Sequence, residues 1–103
     1  MKTFGESIRE LRESRGLLLR EVAANLQIDL SLLSRIERGD KNPTRNQVIL
    51  LAKILKVKEK NLLIHYLSDK VVYELQGEEL AMKAMSVAEK KIAYITDRKN
   101  AKH

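Results

Sequence analysis

The succession of short amphipathic stretches divided by stop signals is the feature that most constrains the fold of this chain. Over residues 1–67, apolar side chains recur every three or four positions, as they do on one face of a helix. Gly16 and Gly39 predict left-handed helix ends, and Pro43 marks a loop. Five short helices in this space predict a compact all-α bundle. Its predicted core comprises Phe4, Ile8, Leu11, Val22, Ala23, Leu26, Leu33, Ile36, Val48, Leu51, Ala52, Leu55, Leu62, Leu63 and Leu67.

Side chains that can accept hydrogen bonds from free backbone amides mark the predicted helix starts. Thr3 with Glu6, and Thr44 with Gln47, have the spacing of a capping box. Asp29 is expected to cap the third helix, and a loop then leads to the fourth.

The second and third helices are expected at 19–26 and 29–38, so only a tight turn can join them. Two short helices joined in this way, the second amphipathic, form a helix-turn-helix unit. The second helix of such a unit fits the major groove of DNA, while the first braces it across the backbone. A helical hairpin in an ordinary bundle shows the same periodicity, so the pattern alone leaves both interpretations open.

The composition argues against several functions. The chain has no Cys, and its two histidines, His65 and His103, are far apart, so we expect no disulfide, cysteine catalysis or metal site. A glycine-rich phosphate loop and a nucleophile–base pair are also lacking, so we predict no catalytic residues, no cofactor and no enzymatic activity. With neither a signal segment nor a membrane-length apolar run, the expected compartment is the cytoplasm. The net charge of +6 suits a polyanionic partner, but it equally fits an ordinary basic protein.

The pattern changes beyond residue 68. Most side chains at 71–75 are of types that favour β-strands. However, apolar residues recur at intervals of four from Leu63 to Leu75, so we predict that the fifth helix continues to a break at Gly77. A last helix is expected over 78–96. The predicted divisions are 1–67, a helical extension at 68–97 and a flexible tail at 98–103.

The last helix carries an apolar face that Leu80, Ala84 and Val87 widen. The face is broader than packing against a single neighbouring helix usually requires. Its central residues follow the 4-3-4-3 spacing of a coiled-coil seam, which predicts a homodimer interface. The alternative is that this helix folds back over its own bundle. The predicted seam comprises Ala81, Met85, Ala88, Ile92 and Ile95.

From Gly5 to Leu63 the chain resembles the Cro/phage-repressor (Xre) family of helix-turn-helix regulators. The most specific match is the run Ser-Arg-Ile-Glu-Arg-Gly at 34–39, in which Glu37 resembles an internal carboxylate expected to pair with Arg12. The resemblance implies a five-helix lambda-repressor-like bundle, here with an additional C-terminal helix, that binds double-stranded DNA on the bacterial nucleoid. Other matching segments are Ile-Arg-Glu-Leu-Arg at 8–12, Gly-Leu at 16–17, Glu-Val-Ala at 21–23, Leu33, Pro43 and Leu-Ala-Lys-Ile-Leu at 51–55.

The same resemblance implies roles for side chains of the third helix. Leu30, Ser31, Ser34 and Arg35 occupy the positions that face the bases. Arg35 is the strongest of these, because a guanidinium can donate two hydrogen bonds to one guanine edge. Leu30 and Leu32 could either contact a thymine methyl group or simply pack.

Further residues occupy positions that touch the DNA backbone in the family, although such charges are also common on any solvated surface. Arg45 is favoured, because the start of a helix adds free amides to an anion site. Leu18 and Leu19 replace the polar cap and glutamine that the family usually has, and Arg20 is expected to make that phosphate contact instead. The predicted backbone contacts are Arg20, Arg38, Lys41, Asn42 and Arg45.

Together these features predict a sequence-specific regulator of transcription. One recognition helix reads too few base pairs to select a genomic site, so a homodimer on a palindromic operator is expected. The small size suits an autoregulatory controller of a restriction-modification system, although a prophage repressor or an antitoxin would look nearly the same. An adaptor that binds only proteins is the alternative class, and Arg35 and Arg45 argue against it. The sequence shows no sign of a small-molecule effector.

Overall fold

The computed structural model describes residues 1–101, with side chains to residue 100. This part of the chain is all-α, which confirms the predicted fold class. A first compact unit spans Met1–Val71 and a second begins at Val72. The division falls inside the fifth helix, four residues beyond the predicted boundary at 67. The helices are α1 (Phe4–Ser14), α2 (Leu19–Leu26), α3 (Leu30–Arg38), α4 (Arg45–Leu55), α5 (Glu59–Leu75) and α6 (Ala81–Ala101).

The core of the first unit is built from the inner faces of α1 to α5. Three predicted members are less buried than expected: Leu11 and Leu63 only line the core, and Leu67 is 44% exposed. Helix α5 instead contributes Leu62 and Tyr66, which lie one turn apart on the same face. The buried apolar residues are Phe4, Ile8, Val22, Ala23, Leu26, Leu33, Ile36, Val48, Leu51, Ala52, Leu55, Leu62 and Tyr66.

The helix starts agree with the predicted caps only in part. Thr44 and Gln47 form the full capping box, with hydrogen bonds of 3.2 and 2.9 Å between the side chain of each and the backbone N–H of the other. Thr3 accepts from the Glu6 amide at 3.2 Å, but the Glu6 carboxylate accepts from the Thr3 hydroxyl rather than from its amide. Asp29 occupies the cap position of α3, yet its side chain caps no amide of the described chain.

Helices α2, α3 and α4 each end at a residue whose backbone adopts the left-handed conformation. Gln27, at φ +58°, reverses the chain between α2 and α3, and Gly39, at φ +83°, ends α3. Lys56, at φ +56°, ends α4 in the same conformation. This conformation costs a side-chain-bearing residue free energy, so two of these three turns hold local strain.

A tertiary contact ties the start of α1 to α5. The Phe4 backbone N–H donates to the Asp69 carboxylate at 2.8 Å, and the His65 ring packs edge-on against the Phe4 ring with centroids 6.0 Å apart. His65 Nε2 also lies 3.2 Å from the Lys2 carbonyl oxygen. A carboxylate at a helix N-terminus is favourable, because it faces the positive end of the helix dipole. Asp69 therefore caps α1 from a position far along the chain.

In the second unit, α6 begins at Ala81 after a turn at Gly77, which has a φ of +80°. It starts three residues later than predicted and continues to Ala101, so residues 98–101, expected in a flexible tail, are helical. Arg98 packs over the Tyr94 ring one turn earlier, at 5.8 Å, and supports this extension. The last two residues of the predicted tail lie outside the described chain. Among residues 1–101, no helix is both long and apolar enough to cross a membrane.

Candidate nucleic-acid interface

Helix α3 has two chemically different sides. Leu33, Ile36 and Glu37 are buried, because residues three or four apart share one face of a helix. The other side carries Ser31 and Arg35, which are exposed. One side of α3 is thus fixed inside the unit, while the other faces solvent.

Helices α1 and α2 both pack on α3. Gly5 is buried where α1 meets the last turn of α3. A Cβ atom at this position would lie 2.6 Å from the Glu37 carbonyl oxygen and closer still to the Ile36 carbonyl oxygen. Only a glycine therefore allows the two backbones to approach as they do, and this contact sets how α3 is seated.

An ion pair between Arg12 of α1 and Glu37 of α3 joins the same two helices. Arg12 Nε donates to Glu37 Oε2 at 2.8 Å, and Nη2 donates to Oε1 at 3.1 Å. Arg12 Nη1 also donates to the Leu17 carbonyl at 3.0 Å. The hydrogen bond with Glu37 raises the pKa of Arg12 above its ordinary value, because it stabilises the charged form of the guanidinium. The structure thus brings together the two residues that the family resemblance pairs.

The four predicted base-reading residues lie on the exposed and partly exposed sides of α3. Ser34 is partly exposed, and Leu30 is 50% exposed. Leu30 does not belong to the described core or to the apolar residues packed on it, which disfavours packing as its role, whereas Leu32 is half-buried. Arg35 forms no ion pair with any carboxylate among the described residues. Its guanidinium is therefore available to an external acceptor.

The predicted backbone contacts differ in their surroundings. Arg38 forms an ion pair with Asp40, 3.1 Å from Nε to Oδ2, and donates to Ser34 Oγ at 3.3 Å. Its charge is partly satisfied within the protein, which makes it the weakest candidate for a phosphate contact. The other four are exposed: Arg20 in the first turn of α2, Lys41 and Asn42 in the loop after α3, and Arg45 as the first residue of α4.

The sequence does not predict two features of the first unit. The first is that Asp69 caps α1. Because Asp69 lies 65 residues beyond Phe4 in the sequence, no local capping pattern could identify it. In addition, Ile64, Leu67 and Val71 form an exposed apolar stripe along α5, whereas Leu67 is predicted to belong to the core. Their spacing of three and four is the signal that could have identified the stripe.

The predicted dimer seam lies on α6. Ala81 is partly exposed, and Met85, Ala88, Ile92 and Ile95 are exposed in the single chain. Within the described residues, no group of three or more His, Cys, Asp or Glu side chains could hold a metal ion.

This fold and the exposed side of α3 are those of a helix-turn-helix domain of the Cro/phage-repressor type. The family model described as "Helix-turn-helix domain" matches residues 3–63, more than half of the chain. The chain belongs to this family. HTH-type transcriptional regulator DdrOP3 of Deinococcus deserti is 45% identical over 47 residues, which are 46% of this chain and 36% of the relative. The match therefore spans about a third of the length of that relative.

Solved structures show the same fold. The restriction-modification controller protein C.AhdI from Aeromonas hydrophila is 32% identical, with a TM-score of 0.54 over 57% of this chain and 89% of that one. A chain of the SinR protein/SinI protein complex is 25% identical, with a TM-score of 0.55, and the match covers 95% of this chain and 99% of that chain. The clp gene regulator ClgR from Corynebacterium glutamicum, at 21% identity and a TM-score of 0.56, covers 93% of this chain and 88% of its own and supports the fold alone. As predicted, the family is one of regulators rather than enzymes.

Proposed function

We propose that this chain is a sequence-specific transcriptional regulator that inserts α3 into the major groove of double-stranded DNA. The observation that carries the proposal is the exposed Arg35, free of ion pairs within the described chain, on the side of α3 opposite its buried anchor. A guanidinium in this position can donate two hydrogen bonds to the O6 and N7 atoms of guanine. Ser31 and Ser34 supply hydroxyl groups for neighbouring bases or phosphates.

The surroundings of α3 suit the DNA backbone. Arg20, Lys41 and Arg45 are exposed cations close in sequence to the helix-turn-helix unit, and Asn42 adds an amide donor. Arg45 begins α4, where free backbone amides add to the attraction for a phosphate. Such contacts fix the orientation of the protein on the duplex, while the α3 side chains supply the sequence preference.

In-vitro selection of duplexes tests this function. The wild-type chain should select a palindromic motif with half-sites about one helical turn apart. Arg35→Ala should lose roughly 1–3 kcal/mol on that site and relax the preference at one base step. Arg45→Ala is the matched comparison. It should weaken binding to all sequences and reduce the slope of log affinity against log salt concentration by about one unit. Tight binding of the selected site by Arg35→Ala would contradict the assignment.

We propose further that the regulator binds its operator as a homodimer through α6. Met85, Ile92 and Ile95 expose apolar surface along one face of this helix, and water disfavours such a face on a single chain. The small side chains of Ala81 and Ala88 allow two helices to approach closely. An a/d seam of this kind fits a second copy of the same helix.

Sedimentation of three variants separates this interface from the stripe on α5. Ala88→Glu places a charge in the seam and should yield a monomer, whereas Ser86→Glu, on the other side of α6, should leave the dimer intact. Leu67→Glu tests the α5 stripe, which is 44% exposed at this residue. A dimer that survives Ala88→Glu but not Leu67→Glu would refute the α6 interface and assign the dimer to α5.

Among regulators, we propose the autoregulatory controller of a restriction-modification system. The support is the C.AhdI structure, because the present chain covers 89% of it at 32% identity. Such a protein acts in the bacterial cytoplasm on nucleoid DNA, and it should bind a site upstream of its own gene. A prophage repressor or antitoxin would be indicated instead by the neighbouring genes. An adaptor that binds only proteins would select no DNA motif.

A further inference from the structure

An exposed apolar side chain stands at the first position of α3. Leu30 is the first residue of this helix and is 50% exposed. It belongs neither to the described core nor to the partly buried residues packed against it. Because exposed apolar surface is unfavourable in water, Leu30 gains most from a ligand that presents an apolar group at the same place.

The neighbouring side chains restrict what that group can be. Ser31 and Ser34 are short and let base edges approach α3 closely, and Arg35 can only donate hydrogen bonds. Leu30 can neither donate nor accept. Among the groups that base pairs present in the major groove, the 5-methyl group of thymine is the apolar one. We propose, resting on the function proposed above, that Leu30 selects thymine by packing on this methyl group.

Replacing single thymines of the selected operator by deoxyuridine tests the proposal, because it removes the methyl group and keeps every hydrogen-bonding group of the base pair. At one position of each half-site, the wild-type chain should lose about fourfold in affinity, the value of one buried methyl group. Leu30→Ala should bind more weakly and show no further loss at that position. Its helical circular dichroism should match that of the wild type, because Leu30 lies outside the core.

Leu18 provides a matched control. It precedes α2 as its cap residue and is 48% exposed, nearly the same as Leu30. Leu18→Ala should therefore keep the fourfold loss on deoxyuridine, whatever its own affinity.

The outcomes separate this inference from the proposed function. Equal losses for wild type and Leu30→Ala at every thymine, or a selected motif without a fixed thymine, would overturn the role of Leu30 and leave the DNA-binding function standing. If the wild-type chain selects no duplex at all, the proposed function fails and the role of Leu30 falls with it.

Discussion

Replacement of Glu37 by Gln should destabilise the first unit strongly while changing almost nothing in shape. The Glu37 side chain is 6% exposed and that of Arg12 is 12% exposed, and two charge-assisted hydrogen bonds of 2.8 and 3.1 Å join them. Gln retains an oxygen for one of these bonds but leaves the guanidinium with only the exposed Glu13 carboxylate, 3.9 Å from Nη2, as a counter-charge. Removing one partner of a buried pair typically costs 3–5 kcal/mol. Because Arg12 keeps its bond to the Leu17 carbonyl, we expect the lower end, about 3 kcal/mol.

Urea unfolding followed by helical circular dichroism measures this loss. Arg9→Ala provides the control, since it breaks the Arg9–Glu13 ion pair, whose side chains are 65% and 55% exposed, and should leave the midpoint nearly unchanged. The double variant Arg12→Leu, Glu37→Leu removes both charges and should lose much less than the two single changes added together.

Two results would refute this account of the pair. One is a Glu37→Gln protein within about 1 kcal/mol of the wild type, a difference too small for a largely buried guanidinium that has lost its buried partner. The other is strict additivity in the double variant, which would mean that Arg12 and Glu37 contribute independently.

Three further predictions concern the backbone and the caps, and the same urea titration checks them. Gly5→Ala should lower the free energy of unfolding by about 1–3 kcal/mol despite the higher helix propensity of Ala, because the added methyl group would clash with carbonyl groups of α3. An unchanged midpoint would show that α1 and α3 can move apart at little cost in free energy. Asp69→Asn should cost about 1 kcal/mol through loss of the charged cap on Phe4, and no change would mean that the amide caps α1 equally well. Lys56→Gly should instead gain about 1 kcal/mol, because it relieves a left-handed side-chain-bearing residue, and a loss would disprove strain there.

The sequence predicts α1, α3 and α4 well because each of these helices carries a local signal at one or both of its ends. Gly16 and Gly39 stop α1 and α3, and the capping box at Thr44 starts α4. Helix α5 is different. It is apolar on several sides, so periodicity does not select one face, and Leu67 is predicted inward although Tyr66 is the buried residue.

Contacts between distant residues are what the sequence does not reveal. The Phe4–Asp69 hydrogen bond joins residues 65 positions apart, and the need for glycine at position 5 depends on how closely α1 crosses α3. No local pattern encodes either distance. The exposed side of α3 is predictable, by contrast, because burial of Leu33 and Ile36 determines which residues of a helix face solvent.

The division of α3 between anchoring and exposed residues has a consequence for how regulators of this kind diversify. Leu33, Ile36 and Glu37 hold the helix in place, and none of them is among the four side chains that we assign to base reading. With the base-reading roles proposed above, substitutions at 30, 31, 34 and 35 should alter the preferred operator with little cost to folding. After gene duplication, two copies could acquire separate operators in a few mutational steps without passing through an unfolded intermediate. The same property makes this helix a suitable starting point for building sets of mutually independent repressors.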